Sequence, residues 1–597
     1  MDNLTREEVN ICDTWDLTKI FKNLDEFNKA KKEVDKLLDD VVNFKGKILD
    51  SSESLYSFYK CYEKLTRLSE KVYMYAKLTS DTDTKNNEYK SLSMSVDKML
   101  EDIFLKTSFI KTELLENDYA KVLKYIEEND KLKEFAFDLE KLYRYKEHVL
   151  SEEEERIITL ASNTFGTGHD VFYNFDNADI NLGVIHDENG NEIELTNSNY
   201  IKYMNSKNRD VRIDAFNHMY NYFKSFKNTL AASYNGQVKE NFFMSNVKKY
   251  EDPLSESLFH DSIEKQVYIN LIDTIHDKLD VMYDYLDLKK KVLGYDEMHM
   301  YDIYVDIIDE KEKDIPFEEG KQIVFDALKP LGDKYLNDLS KAFDERWIDK
   351  YPNKGKKSGA YSWGSYDTYP YLLLNYNNTV DSVSTMAHEL GHSMHSYYSN
   401  SNQNAFNAGY PIFLAEIAST VNEVLVNDYL YKHAKTKEEK ILYLVEFLEK
   451  VRTTIYRQTM FAEFEMIVHD KYKNNIPLTS DELCKTYYEL NKLYYGPGVV
   501  SDDLIKYEWS RIPHFYSSFY VYKYATGLSS AISIASDILN NEPNAKDAYL
   551  KFLSSGGSDY PLNILKRVNV DMTKKEPILK ALKMFEDKLN ELKEIIG

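Results

Sequence analysis

From about residue 20 to residue 160, apolar side chains recur every three or four positions between charged ones. Few glycines or prolines interrupt them, as in FKNLDEFNKAKKEVDKLLDDV and YEKLTRLSEKVYMYAKL. That period gathers the apolar side chains on one face of a helix and predicts an antiparallel helical region. The period first changes at Leu182-Gly183-Val184-Ile185 and Ile193-Glu194-Leu195. These are two short strand-like runs flanking Asn189-Gly190, a pair that tolerates the positive φ of a hairpin turn. Helical spacing resumes after about residue 196. The pattern therefore divides the chain into a mainly helical N-terminal region (1–196) ending in the hairpin-like segment, and a second region (197–597).

A second break, Tyr351 to Gly359, is polar and contains Gly355 and Gly359, so it reads as a mobile loop. Beyond it Tyr371–Tyr376 is a short aromatic and apolar run that predicts a buried or edge strand, closed by a turn at Asn377-Asn378-Thr379. Thr379 or Asp381 can then cap a helix in which Val383, Met386, Ala387, Leu390 and Met394 share a face. Another helix opens at Pro411, since proline fits a first turn.

Inside the first of these helices stand His388-Glu389-Leu390-Gly391-His392. Residues four apart on a helix are separated by roughly 40° around the axis and about 6 Å along it, so both imidazoles can reach one metal ion. Glu389, rotated about 100° from His388, can lean toward a water in an open fourth position, where a general base belongs. With 13 histidines among 597 residues, about 0.02 accidental matches to this spacing are expected. Gly391 is unfavourable by about 1 kcal/mol against alanine in a helix interior, which implies a close approach by another backbone. A catalytic zinc needs a third protein ligand, and Glu416 is the acidic residue of Pro411–Thr420. Among Phe413, Leu414, Ile417 and Ala418 its carboxylate would be costly to bury unless paired or bound to metal; the alternative is a glutamate that faces solvent from a half-buried helix. Glu423, two turns on, can orient a ligand.

Composition narrows the partners. A net charge of -24 argues against nucleic acid, whose binding depends on a basic surface. No run of about 18 apolar residues occurs and the N-terminus lacks a basic start followed by an apolar stretch, so no membrane association is expected. Cys12, Cys61 and Cys484 have no metal-type spacing and read as buried thiols in a reducing, cytoplasmic setting. Near the C-terminus, His514 with Tyr516, Tyr520, Tyr522 and Tyr524 offers imidazole and phenol donors suited to an oxyanion, although an aromatic stripe at this spacing also suits a core.

HELGHSMH, the glutamate of FLAEIAST 24 residues later, SGAYSWGSYDTYPYLLLNY before them and RIPHFYSSFYVYKYATG after them resemble the oligoendopeptidase F branch of the thimet-oligopeptidase-like zinc metallopeptidases. Trp15-Asp16-Leu17 and HVLSEEEERI at 148–157 extend the likeness toward the N-terminus. The resemblance implies a mainly α fold, two helical lobes enclosing a deep substrate channel, with a small β-sheet beside the zinc helix, and makes 197–597 the catalytic region. It implies one Zn2+ per chain on His388, His392 and Glu416, and Glu389 as base in the hydrolysis of internal bonds of short oligopeptides. His514 with Tyr522 foremost, then Tyr520, would steady the oxyanion. Gly359 would belong to a loop closing over substrate, and the strand at 371–376 would offer its edge to the peptide. Two alternatives stay open: a structural zinc clip with His395 as fourth ligand, and an exopeptidase in which a charge such as Arg511 captures a terminus.

Overall fold

The computed structural model describes residues 4–308 and 313–597. Among the described residues helices dominate, and the sheets are small: two of two strands and one of three. The helix Leu24–Val42 carries the predicted pattern, with Phe27, Val34, Leu38 and Val41 buried on one face and the Asn23 side chain accepting from Glu26 N–H at its start. The long helix Ser52–Thr82 is capped in the same way by Ser51. At 184–194 the hairpin forms as expected. Val184–His186 pairs antiparallel with Glu192–Glu194, and Gly190 takes φ +79° in the turn.

The chain folds into two compact units. One comprises Met1–Glu147, Glu312–Lys432 and Ile534–Val570, and the other His148–Lys311, His433–Ser533 and Asp571–Gly597. The first unit holds the three-stranded sheet, in the order Ile348–Asp349, Tyr371–Leu373, Tyr361–Trp363. The expected strand at 371–376 is thus the central one, parallel to one neighbour and antiparallel to the other. Its backbone groups are already paired on both sides, so it has no edge to offer, and the outer strands are Ile348–Asp349 and Tyr361–Trp363. The loop before this sheet also differs from expectation. Lys356 is buried, 2.7 Å from Asp349 Oδ1, and donates to the Tyr351 and Leu374 carbonyls at 2.7 and 2.6 Å. Arg6 lies on the same Asp349 carboxylate. A buried ammonium with its donors satisfied anchors the loop, which glycine content alone did not reveal.

In the second unit the helices Lys437–Val451 and Arg457–Lys473 are joined through a π-helical turn at Arg452–Tyr456. Beside it Glu449 accepts from Arg452, Lys289 and Tyr285. Burial would raise its pKa, but Arg452 and Lys289 outweigh that and hold it at about 2. The three cysteines are unpaired: Cys484 is buried, Cys61 half-buried and Cys12 exposed, so only one matches the expected buried thiol. Among the described residues no helix is long and apolar enough to cross a membrane.

Candidate metal centre

The motif helix runs Val380–Asn402, and Thr379 is its cap, its side chain accepting from Ser382 N–H at 3.1 Å. The facing helix is Ile412–His433. Their backbones come so close at Gly391 that a β-carbon there would sit 2.5 Å from Ser419 Cα and 2.7 Å from the Ala418 carbonyl oxygen. The glycine therefore sets the helix separation, and Asn422 Nδ2 ties the pair by donating to the Ala387 carbonyl at 3.0 Å.

That separation brings His388, His392 and Glu416 together, the metal-type group found among the described residues. His388 Nε2 and His392 Nε2 lie 3.1 Å apart, and Glu416 Oε2 is 3.5 and 3.7 Å from them. A tetrahedral zinc about 2.0–2.1 Å from each ligand atom requires these atoms about 3.3–3.4 Å apart, so the three donors fit the ion with only small adjustment. The other faces of the rings are occupied. His388 Nδ1 lies 2.5 Å from Glu423 Oε1, the carboxylate–imidazole arrangement that fixes a ligand's tautomer. His392 is hydrogen-bonded to the Ala415 backbone. Burial, then His388, lowers its pKa to about 3, leaving the ring in the neutral form that binds metal.

Glu389 is buried beside this group. Burial raises its pKa to about 7; His388 and a hydrogen bond from the Ser362 backbone oppose the rise, and Glu416 adds to it. Such a carboxyl is a proton acceptor and donor beside the ligand group, and a bound cation would lower its pKa. Ser362 belongs to the edge strand Tyr361–Trp363, a link between sheet and base that the motif did not announce. Gly359, two residues before that strand, has φ +81° with open space around it, and its carbonyl accepts from Asn375 Nδ2 at 2.7 Å. His395, considered above as a fourth ligand, is fully buried against the Tyr410 ring, 3.7 Å between centroids, outside the three-ligand group.

In the second unit His514 lies in a short turn, Pro513–Tyr516, and the first part of the helix Tyr522–Leu539, up to Ser533, follows. His514 Nε2 is 3.2 Å from Tyr524 Oη, and its ring centroid is 6.4 Å from that of Tyr520. Tyr522 is placed differently: it has no exposed surface and packs on Tyr268 at 5.3 Å. The spacing did not distinguish these tyrosines. The helix does, because Tyr522 joins the buried face with Thr526, whose hydroxyl donates to the Tyr522 carbonyl, while Lys523 and Tyr524 lie off it.

Residues 202–584 match the family model described as Peptidase family M3, and residues 113–181 match one described as Oligopeptidase F. The chain belongs to peptidase family M3. It is 40% identical over 591 residues to the oligopeptidase PepF of Bacillus subtilis, covering 99% of this chain and 88% of that one. A crystal structure of a Chlamydophila abortus protein superimposes with TM-score 0.93 at 36% identity, each chain covered completely. Oligoendopeptidase-F from Enterococcus faecium gives 0.73 at 32%, covering 96% of this chain and 99% of the other. As a family M3 oligoendopeptidase the protein is a metallopeptidase, and the HExxH pair with Glu416 is its possible metal-binding group.

Proposed function

We propose that the protein hydrolyses internal bonds of short peptides with one zinc ion held by His388, His392 and Glu416, and that Glu389 is its general base. The observation that carries this reading is the convergence of three ligand atoms at 3.1–3.7 Å with a buried carboxyl beside them. A zinc ion bound there supplies a Lewis acid that polarises the scissile carbonyl and makes water a better nucleophile. Glu389 takes the proton of the attacking water and returns it to the leaving amine, while Ser362 N–H and the surrounding burial keep its carboxyl in place. Glu423 holds the His388 ring in register.

The substrate backbone lies along the outer strand Tyr361–Trp363, which is tied to Glu389 through the Ser362 N–H and, among the described residues, has no partner strand on its other side, because main-chain pairing needs no particular side chain. The loop at Gly359 covers it. His514 donates to the oxyanion, with Tyr524 or Tyr520 as the phenol in place of the buried Tyr522. Residues 197–597 act as the catalytic region, a reading supported by the family match from residue 202. A cytoplasmic setting fits the three unpaired cysteines.

Glu389→Gln tests the assignment. The variant should keep about one zinc per chain and lose at least about 10³-fold in kcat/KM on a quenched fluorescent peptide. A zinc-loaded variant cleaving at the original rate would contradict it. Mass spectrometry of fragments from a peptide blocked at both ends should show cleavage within the chain.

A further inference from the structure

Glu465 lies within the helix Arg457–Lys473 and its side chain is fully buried. One carboxyl oxygen accepts the backbone N–H of Phe519 at 2.9 Å; among the described residues the other has no hydrogen-bond partner. Phe519 itself sits at φ +58°, a left-handed conformation that its β-carbon disfavours. Its ring is buried, 4.5 Å from that of His469 and 6.0 Å from that of Tyr268. Tyr268 in turn donates to the Ala462 carbonyl, one turn before Glu465. On either side of Phe519, Asn241 Nδ2 donates to Ser518 Oγ at 2.6 Å and Lys523 Nζ meets Asp261 at 2.8 Å.

This strained turn links His514 to the helix that carries Tyr524, with Tyr520 immediately after Phe519. Its outer face, from Tyr516 to Tyr520, lines a cleft of about 440 Å³ within the second unit. A left-handed phenylalanine persists only where its surroundings over-determine it. A buried carboxyl with one oxygen unused contributes little stability that an apolar side chain would not, so stability does not account for it.

We propose that Glu465 is a positioning residue for the peptidase reaction: its buried carboxyl fixes the left-handed turn at Phe519 and so sets the mutual placement of His514, Tyr520 and Tyr524. The proposal rests on the reading above that this cluster stabilises the oxyanion. The carboxyl acts as a neutral acceptor. Burial, opposed by the Phe519 N–H, raises its pKa to about 8, so glutamine reproduces both its shape and the acceptor.

The experiment compares Glu465→Gln, Glu465→Met, Asn241→Ala and His514→Ala in the zinc-loaded enzyme by kcat, KM and zinc content. Glu465→Gln should stay within about threefold of the original kcat. Glu465→Met should lose about 10- to 100-fold in kcat with KM within about threefold and zinc unchanged, because the lost placement matters in the transition state. Asn241→Ala, which frees the turn from its other side, should lose about three- to tenfold in kcat. A folded Glu465→Met with the original kcat overturns the proposal, as does a Glu465→Gln as impaired as Glu465→Met. If Glu465→Met does not unfold cooperatively, an Asn241→Ala enzyme of full activity overturns it. A fully active His514→Ala would remove the oxyanion reading itself. An impaired His514→Ala beside a fully active Glu465→Met would remove only the role of Glu465.

Discussion

The metal-type group and the His514 cluster are built by opposite means. His388, Glu389 and His392 need only a helix to be placed, because consecutive turns fix their relative directions, and one close helix contact at Gly391 brings Glu416 alongside. His514, Tyr520 and Tyr524 straddle an irregular turn held by Asn241, Asp261 and Glu465, residues 54 to 277 positions away. Periodicity can specify the first arrangement. The second exists only after tertiary folding, so its parts should respond to distant substitutions that leave the first untouched.

The largest effect expected is on the helical side. Glu416→Ala leaves two ligands and should lose both bound zinc and at least about 10³-fold in kcat/KM, measured by metal analysis and peptide cleavage; full zinc occupancy would break the contrast. Next is a pH effect confined to the second unit. Burial raises the Glu465 carboxyl from 4.5 to about 8 in the folded chain. The unfolded chain releases that proton first, so stability is greatest below pH 4.5 and falls as pH rises toward 8, by on the order of a few kcal/mol. Glu465→Gln should flatten that part of the stability profile in denaturant titrations at several pH values.

Gly391→Ala should cost about 3 kcal/mol and lower zinc affinity, since its methyl meets the Ser419 backbone and pushes Glu416 away. Thermal unfolding and zinc titration would detect both. The smallest effect sharpens the loop side. Tyr524→Phe should reduce kcat about tenfold, and Tyr522→Phe by less than about threefold, because only the former phenol reaches His514. Equal losses would mean that burial does not separate the two.

The same contrast explains what could be read from the chain. The helices, the hairpin at Asn189-Gly190, the cap at Thr379 and the tight contact at Gly391 follow from local pattern, and the grouping of Glu416 with both histidines is the one the resemblance implies. The order of the three-stranded sheet does not, because strands of two or three residues carry too little pattern to say which is central. That is why the edge was expected at 371–376, whereas the outer strands are Ile348–Asp349 and Tyr361–Trp363. Nor did the glycines of the 351–359 loop reveal that Lys356 is buried on Asp349. The resemblance puts Tyr522 foremost, and residue type and spacing do not separate it from Tyr524; which of them faces the core depends on Tyr268, about 250 residues earlier. His469 and Glu465 carried no motif at all, and acquire meaning only from the turn they support.

Diffraction at the zinc absorption edge, from crystals of the zinc-loaded enzyme, would locate the metal. The expected result is a single anomalous peak about 2.0–2.2 Å from His388 Nε2, His392 Nε2 and a Glu416 carboxylate oxygen, with no fourth protein ligand. A peak ligated by His395, or one that Glu416 does not reach, would contradict the assignment of an open, water-activating site.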